Sequence, residues 1–260
     1  MTYSKEMKTA LKAAEEAGKI VKKFFGNAVP RMKTEKEIVT EADLEAEKKI
    51  MSVIRKDFPN AVFCAEEFSS KHDDFSGRVW VVDPIDGTHN FSRGSEHHCI
   101  CIALVEGNEP VLGVVLVPQS GKVFTAEKGK GAFLNSTKIS VSGISGLRDS
   151  FALTGFPGRR YDKPFQNTEN FRRFNAEVSS LHVLGSAALD ICSVANGKSE
   201  LFWCFGLKPW DIAAAAVIVR GAGGKVLNEK GEDWKPNDSF VFASNGRVVE
   251  EFFSKFDLKG

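Results

Sequence analysis

The sequence predicts an α+β protein in which helices are layered on sheets. Three observations carry that expectation. Helix-period apolar patterns open and close the chain, short apolar runs joined by Gly, Pro and Asn turns fill its middle, and beyond residue 145 strand-like and helix-like segments alternate. No repeat or low-complexity linker divides the 260 residues. The expected organisation is therefore one compact unit of two packed lobes, 1–145 and 146–260.

The elements follow in order. Met7, Leu11, Ala14, Ile20, Val21, Phe24 and Phe25 recur at roughly helical spacing over 4–26, and Gly26 is a natural stop. PRMKTEKE, 30–37, is charged and begins with proline, which predicts an exposed loop. Thr40 is placed to cap a second helix, with Asp43 in its first turn and Leu44, Ile50, Val53 and Ile54 on the buried face. AVFCAEE, 61–67, reads as a short strand ending on acids. RVWVVD, 78–83, is a stronger strand, uniformly apolar before its aspartate, and Pro84 is expected to end its pairing. Apolar runs at 99–106, 111–117, 122–126 and 131–134 predict antiparallel strands joined by hairpins. Strands near 150–155, 181–184 and 200–205 alternate with helices near 163–177, 186–196 and 210–222. SFVFAS, 239–244, is a last strand and 246–256 a last helix.

Composition narrows the function. Thirty-five basic and 34 acidic residues leave a net charge of +1, so no overall field attracts nucleic acid or an anionic membrane. No apolar run approaches membrane-spanning length, and the N-terminus does not read as a signal peptide. The five cysteines are odd in number, contain no CxxC pair and sit in strand-like or helix-like runs. His97-His98 lacks partners at zinc-ligand spacing. Small buried thiols in a reducing, cytoplasmic setting are expected.

WVVDPIDGTHNF, 80–91, carries the chemistry. Asp83 and Asp86 flank a proline turn at the end of a buried strand, and the next basic residue is Arg93. Two such carboxylates repel unless a cation lies between them. Ligands that are all oxygen point to Mg²⁺, or Mn²⁺, rather than zinc. The Gly87 and Thr88 amides at a short helix start would form an anion site beside that metal, which suggests phosphate. An ordinary capping turn with solvated acids explains the same stretch. Glu66-Glu67 ends the preceding strand and could reach the same sheet edge. PWDIAAAAVIVRGAGG, 209–224, places Asp211 in the first turn of an apolar helix, where the helix dipole alone also accounts for it. Together these stretches supply enough acids for two or three metal ions. Phosphatases that form a phospho-aspartate carry DxDGT, whereas here the spacing is DxxDGT and Pro84 stands where the nucleophile would be. Metal-activated water is the nucleophile that remains.

AEE at 65–67, WVVDPIDGTHNF and PWDIAAAAVIVRGAGG, with KEIVTEAD at 36–43 and LGSAALDICSVANG at 184–197, resemble the inositol monophosphatase family of Mg²⁺-dependent, lithium-sensitive phosphatases, over nearly the whole chain. The resemblance implies a layered αβαβα sandwich, of the type also seen in fructose-1,6-bisphosphatases, and a homodimer acting on a small-molecule phosphate ester. It implies metal ligands at Glu66, Asp83, the Ile85 carbonyl, Asp86 and Asp211. It implies Asp43 and Thr88 as the pair that activates water, with Glu66 assisting. Lys33 matches a lysine in a loop over the metals, although it also reads as a solvated member of a charge run. Asp43 reads equally as a first-turn helix acid. His89 is expected on a helix surface.

The substrate is less determined. Gly185, Ser186 and Ala187 match the loop that faces the sugar ring in the family. Where members acting on inositol phosphate commonly carry a glutamate, this chain has Cys204, a poor hydrogen-bond acceptor. A bisphosphate needs a second basic contact, for which Arg159, Arg160, Arg172, Arg173 and Lys208 are candidates. Inositol monophosphate or a related sugar phosphate is the first expectation. Fructose 1,6-bisphosphate, or both substrates, comes second. Histidinol phosphate, adenosine 3′,5′-bisphosphate and a non-catalytic binding role follow. The 21 phenylalanines would suit either a core or a dimer face.

Overall fold

The computed structural model describes residues 3–33, 37–69, 72–156 and 166–256. Five layers stack in the order helix, sheet, helix, sheet, helix. Helices α1 (Ser4–Phe24) and α2 (Glu41–Asp57) form the first. The second is a seven-stranded sheet in chain order: β3 (Val62–Ala65), β4 (Arg78–Asp86), β5 (Cys99–Glu106), β6 (Glu109–Val117), β7 (Lys122–Glu127), β8 (Ala132–Leu134) and β9 (Thr137–Ile139). Helices α5 (Ala187–Ala195) and α6 (Pro209–Gly221) fill the middle. A five-stranded sheet follows, built from β10 (Phe151–Thr154), β11 (Ser180–His182), β12 (Leu201–Phe205), β13 (Lys225–Leu227) and β14 (Phe240–Ser244), in the order β11-β10-β12-β14-β13. Helices α4 (Gln166–Glu177) and α7 (Val249–Lys255) close the stack. This is the αβαβα sandwich that the resemblance implied.

The apolar strands read as uniform because both their faces are covered. Along β5, Cys99, Cys101, Ala103 and Val105 pack towards α5 and α6, while Ile100, Ile102 and Leu104 pack towards α1 and α2. Along β12, Phe202 and Cys204 face the middle layer, and Leu201, Trp203 and Phe205 face α4 and α7. That last interface holds many of the phenylalanines. Phe242 and Phe252 stack at 4.1 Å, and Phe174, Phe240 and Phe256 are buried around them. These rings belong to the core. The middle helix α6 is rich in alanine because sheet backbone runs against it. A Cβ added to Gly113 of β6 would lie 2.2 Å from the Ala214 carbonyl oxygen.

Two local expectations are corrected. Residues 30–37 are not wholly loop, since β1 (Arg31–Met32) pairs antiparallel with β2 (Ile38–Val39). Pro84 does not end β4. Asp83 pairs with Cys101 and Asp86 with Cys99, so three steps on β4 match two on β5. The extra residue is a β-bulge, which places the proline where no ladder hydrogen bond is required. Strands β9 and β13, three residues each, were not anticipated, being too short to show a period. Among the described residues, no helix is long and apolar enough to cross a membrane.

Candidate active site

A cavity of about 310 Å³ opens where the two sheets and the middle helices converge. Its lining includes Glu66, Asp83, Ile85, Asp86, Gly87, Thr88 and Asp211, together with Thr154, Phe156, Phe202, Cys204 and Leu207. Its size suits a small phosphate ester.

Local structure places each acid. β3 runs parallel to β4 with Ala65 beside Val82, so Glu66 and Asp83 leave the sheet at the same edge. The bulge turns Asp83 and Asp86 to that edge together. Asp83 accepts a hydrogen bond from the Ile85 amide at 2.9 Å. Asp86 is held by the start of α5, where Ser186 Oγ donates to Oδ2 at 2.5 Å and the Ala188 amide at 2.8 Å. Asp211 is the third residue of α6, and its carboxylate accepts from the Lys208 amide at 2.8 Å. Asp43 has the same relation to α2, since it accepts from the Thr40 amide at 2.8 Å and from the Thr40 hydroxyl at 2.5 Å. Both acids therefore cap the first turn of their helices by accepting the N-cap amide, which is why local sequence explains them without any function. Gly87 has φ +89°, and a Cβ there would lie 3.0 Å from the His97 carbonyl oxygen, so this turn requires glycine.

Carboxylate oxygens of Asp83, Asp86 and Asp211 lie within 4.8 Å of one another, all buried. Burial and mutual repulsion push the pKa of Asp86, Asp83 and Glu66 upward. Asp86 rises to about 7, first through burial and then through Asp211. Asp83 rises well above the carboxylate range through burial, then Glu66, Asp86 and Asp211. Glu66 is raised through burial and then Asp211. Such a cluster lacks positive charge at its centre, and its hard oxygen donors suit a divalent cation. Beside it, Thr88 Oγ1 lies 3.3 Å from Asp43 Oδ1 and 3.0 Å from the Ile85 carbonyl oxygen. Burial raises Asp43 to about 6 against its Thr40 hydrogen bonds.

The other expected residues fall as follows. Lys33 Nζ sits 2.9 Å from the Glu67 carboxylate and 3.7 Å from that of Glu66. Gly185, Ser186, Ala187 and Cys204 line the cavity. The Cys204 thiol points at the Gly155 and Phe205 carbonyl oxygens, each at 3.4 Å, and burial pushes its pKa up. Lys208 borders a different cleft, with His72, Asp73 and Asn237. Arg172 pairs with Glu169 on its own helix, and Arg173 donates to the Lys255 carbonyl. Arg159 and Arg160 lie outside the described residues. His89 is exposed.

Three contributors were missed. Asn90 donates to the carbonyls of Leu184 at 2.8 Å and His97 at 2.9 Å, tying the Gly87 turn to the loop before α5. Glu47, one turn after Asp43, accepts from the Glu67 and Phe68 amides at 2.8 Å each and so holds the Glu66 turn on α2. Asp190 lines the cavity and meets His97. Asn90 and Asp190 lie inside the quoted motifs, and Glu47 shares a helix face with Asp43, which is the only signal the sequence offers for them.

Comparison with known proteins agrees with this architecture. The model of the inositol monophosphatase family matches residues 3–257. Inositol monophosphatase 1 of Solanum lycopersicum is 37% identical over 257 residues, covering 96% of this chain and 93% of that protein. A fructose-1,6-bisphosphatase/inositol-1-monophosphatase of Thermotoga maritima is 38% identical over 221 residues, covering 83% and 81%. Among solved structures, the extragenic suppressor protein suhB of Bartonella henselae superposes with a TM-score of 0.89 at 31% identity, covering 98% of this chain and 99% of that one. The chain belongs to the inositol monophosphatase family.

Proposed function

We propose that the protein is a Mg²⁺-dependent phosphomonoesterase that hydrolyses inositol monophosphate or a related sugar phosphate with water as the nucleophile. The observation that carries this reading is the buried Asp83–Asp86–Asp211 cluster in one cavity with the Thr88–Asp43 pair. Glu66, Asp83, Asp86, Asp211 and the Ile85 carbonyl would hold two or three Mg²⁺ ions, or Mn²⁺, which supply charge neutralisation and water activation when bound.

The chain's own residues do the rest. The single Thr88 hydroxyl proton has two acceptors, Ile85 O and Asp43 Oδ1. Of the two, only the Asp43 carboxylate can take up the proton, and the Ile85 carbonyl would remain free to help hold a cation. Thr88 Oγ1 then offers its lone pair to the attacking water, takes a proton from it and passes its own to Asp43. A carboxyl at about 6 suits that acceptance near neutral pH. Glu66 assists from the same cavity. Gly87 and Thr88 cradle the phosphate, Gly185, Ser186, Ala187 and Cys204 face the alcohol, and Lys33 neutralises the Glu66–Glu67 corner.

A dual activity that includes fructose 1,6-bisphosphate is the second reading, favoured by the name of the Thermotoga relative and by Cys204. The proposal takes the protein as a cytoplasmic homodimer that acts on a small molecule and binds neither nucleic acid nor membrane. Five buried free thiols suit a reducing compartment.

The test is phosphate release from inositol 1-phosphate and fructose 1,6-bisphosphate side by side, with and without Mg²⁺, using Asp86→Asn as control. Mg²⁺-dependent release that the control abolishes is expected. No release from either ester by folded protein in ample Mg²⁺ would overturn the reading.

A further inference from the structure

The remaining wall of the cavity contains polar side chains, and nearly all are committed. Thr154 Oγ1 donates to the Trp203 carbonyl at 2.7 Å and accepts from Asn167 Nδ2 at 3.2 Å. The Cys204 thiol is directed at two carbonyls, and Ser186 Oγ at Asp86. Phe156, Val183, Phe202 and Leu207 bring only apolar surface. Asp190 is different. It is 1% exposed, it lines the cavity, and its Oδ1 is fixed by His97 Nε2 at 2.9 Å. Its Oδ2 has no protein partner among the described residues. A carboxylate oxygen at the cavity wall, immobilised through its twin and left without a protein donor, is available to accept a hydrogen bond from a ligand.

We propose that Asp190 is the specificity-determining residue of this cavity: its Oδ2 accepts a hydrogen bond from a hydroxyl on the alcohol portion of the substrate, and its charge turns away a second phosphate on that wall. The assignment rests on the phosphomonoesterase reading and narrows it to monophosphates of polyols. His97 is the positioning residue. It donates to Oδ1 and so aims Oδ2 into the cavity. The Asn90 bond to the His97 carbonyl ties this arrangement to the Gly87 turn, so the wall that reads the alcohol and the turn that holds the phosphate are one connected unit. Cys204, directed elsewhere, leaves the acceptor role to Asp190.

The experiment compares the unmutated protein, Asp190→Ala and Asp190→Asn on three esters in saturating Mg²⁺. These are inositol 1-phosphate, fructose 1,6-bisphosphate and 4-nitrophenyl phosphate, which has no hydroxyl to donate. Asp190→Ala is expected to lower kcat/KM for inositol 1-phosphate by about 10- to 100-fold, mostly through KM, and to leave 4-nitrophenyl phosphate within a few-fold. Asp190→Asn keeps an oxygen for His97 and presents an N–H₂ to the cavity. It should raise the ratio of fructose 1,6-bisphosphate to inositol 1-phosphate turnover. Because each ratio is taken within one folded variant, loss of fold does not imitate the result. An equal fall on all three esters, or ratios unchanged in both variants, overturns the assignment while the phosphomonoesterase reading stands. No turnover of any ester by the unmutated protein overturns both.

Discussion

Metal-free protein should gain stability on mild acidification, the reverse of ordinary acid denaturation. The perturbation is a pH change from 7.5 to 5 in the presence of a chelator. A carboxyl whose pKa is higher folded than unfolded takes up its proton first in the fold. The fold is therefore favoured as pH falls from the folded value towards the unfolded one, and loses that advantage as pH rises. Asp86 moves from 3.8 to about 7. Between pH 7 and 5 it alone contributes about 2 kcal/mol, at 1.36 kcal/mol per pH unit with rounding at the upper edge. For a chain of this size that corresponds to a rise in Tm of roughly 4–8 °C. Asp43, at about 6, and Glu47, at about 7, act in the same direction. His98 opposes them, because burial lowers its pKa and the unfolded chain protonates first. Asp74 and Glu251, whose pKa values are lowered, lose their contributions only below the window. The assay is calorimetry across the pH range with and without Mg²⁺. Asp83→Asn is the control, since its amide oxygen still accepts from the Ile85 amide while one repelling charge is gone. It should raise the metal-free Tm at pH 7.5 and flatten the profile. A metal-free Tm that falls or stays level from pH 7.5 to 5 would refute the idea that burial of unneutralised carboxylates, reinforced by their repulsion, sets the pH dependence of this site.

Other consequences can be measured directly. Thr88→Ala should lower kcat by about 10²- to 10⁴-fold with little change in KM, as expected when proton transfer is lost and binding kept; steady-state kinetics checks it. Glu47→Gln leaves one of the Glu67 and Phe68 amides facing an N–H₂, a cost of about 1–3 kcal/mol, so Mg²⁺ titration should show weakened binding through the displaced Glu66. Gly113→Ala drives a methyl to 2.2 Å from the Ala214 carbonyl. It should destabilise by about 1–3 kcal/mol, read as a lower urea midpoint with unchanged slope.

Much of this molecule is legible along the chain. Helices layered on sheets follow from strands apolar on both faces and helices of ordinary length, the five-layer order was implied by the family resemblance, and the runs at 99–106, 111–117 and 200–205 reappear as β5, β6 and β12 within a few residues. The motifs that carry the family resemblance end at one cavity. Less legible were short strands such as β13, whose three residues show no period, and the passage of β4 through Pro84, because a bulge is a relation between two strands and leaves no mark on one.

What the sequence by itself determined is local. It set which segments become helix or strand, where Thr40 and Lys208 begin helices, and why Gly87 turns as it does, because backbone sterics and capping bonds act over a few residues. Only the tertiary structure decided which acids meet. The parallel register of β3 on β4 puts Glu66 beside Asp83, the start of α5 grips Asp86 from 100 residues away, and α6 delivers Asp211 to the same edge. It also decided that Cys204 is directed at its neighbours and that Asp190 lines the cavity with one oxygen lacking a protein partner among the described residues. Those outcomes depend on distances between residues far apart in the chain, and long-range packing, which buries them together, is what sets such distances.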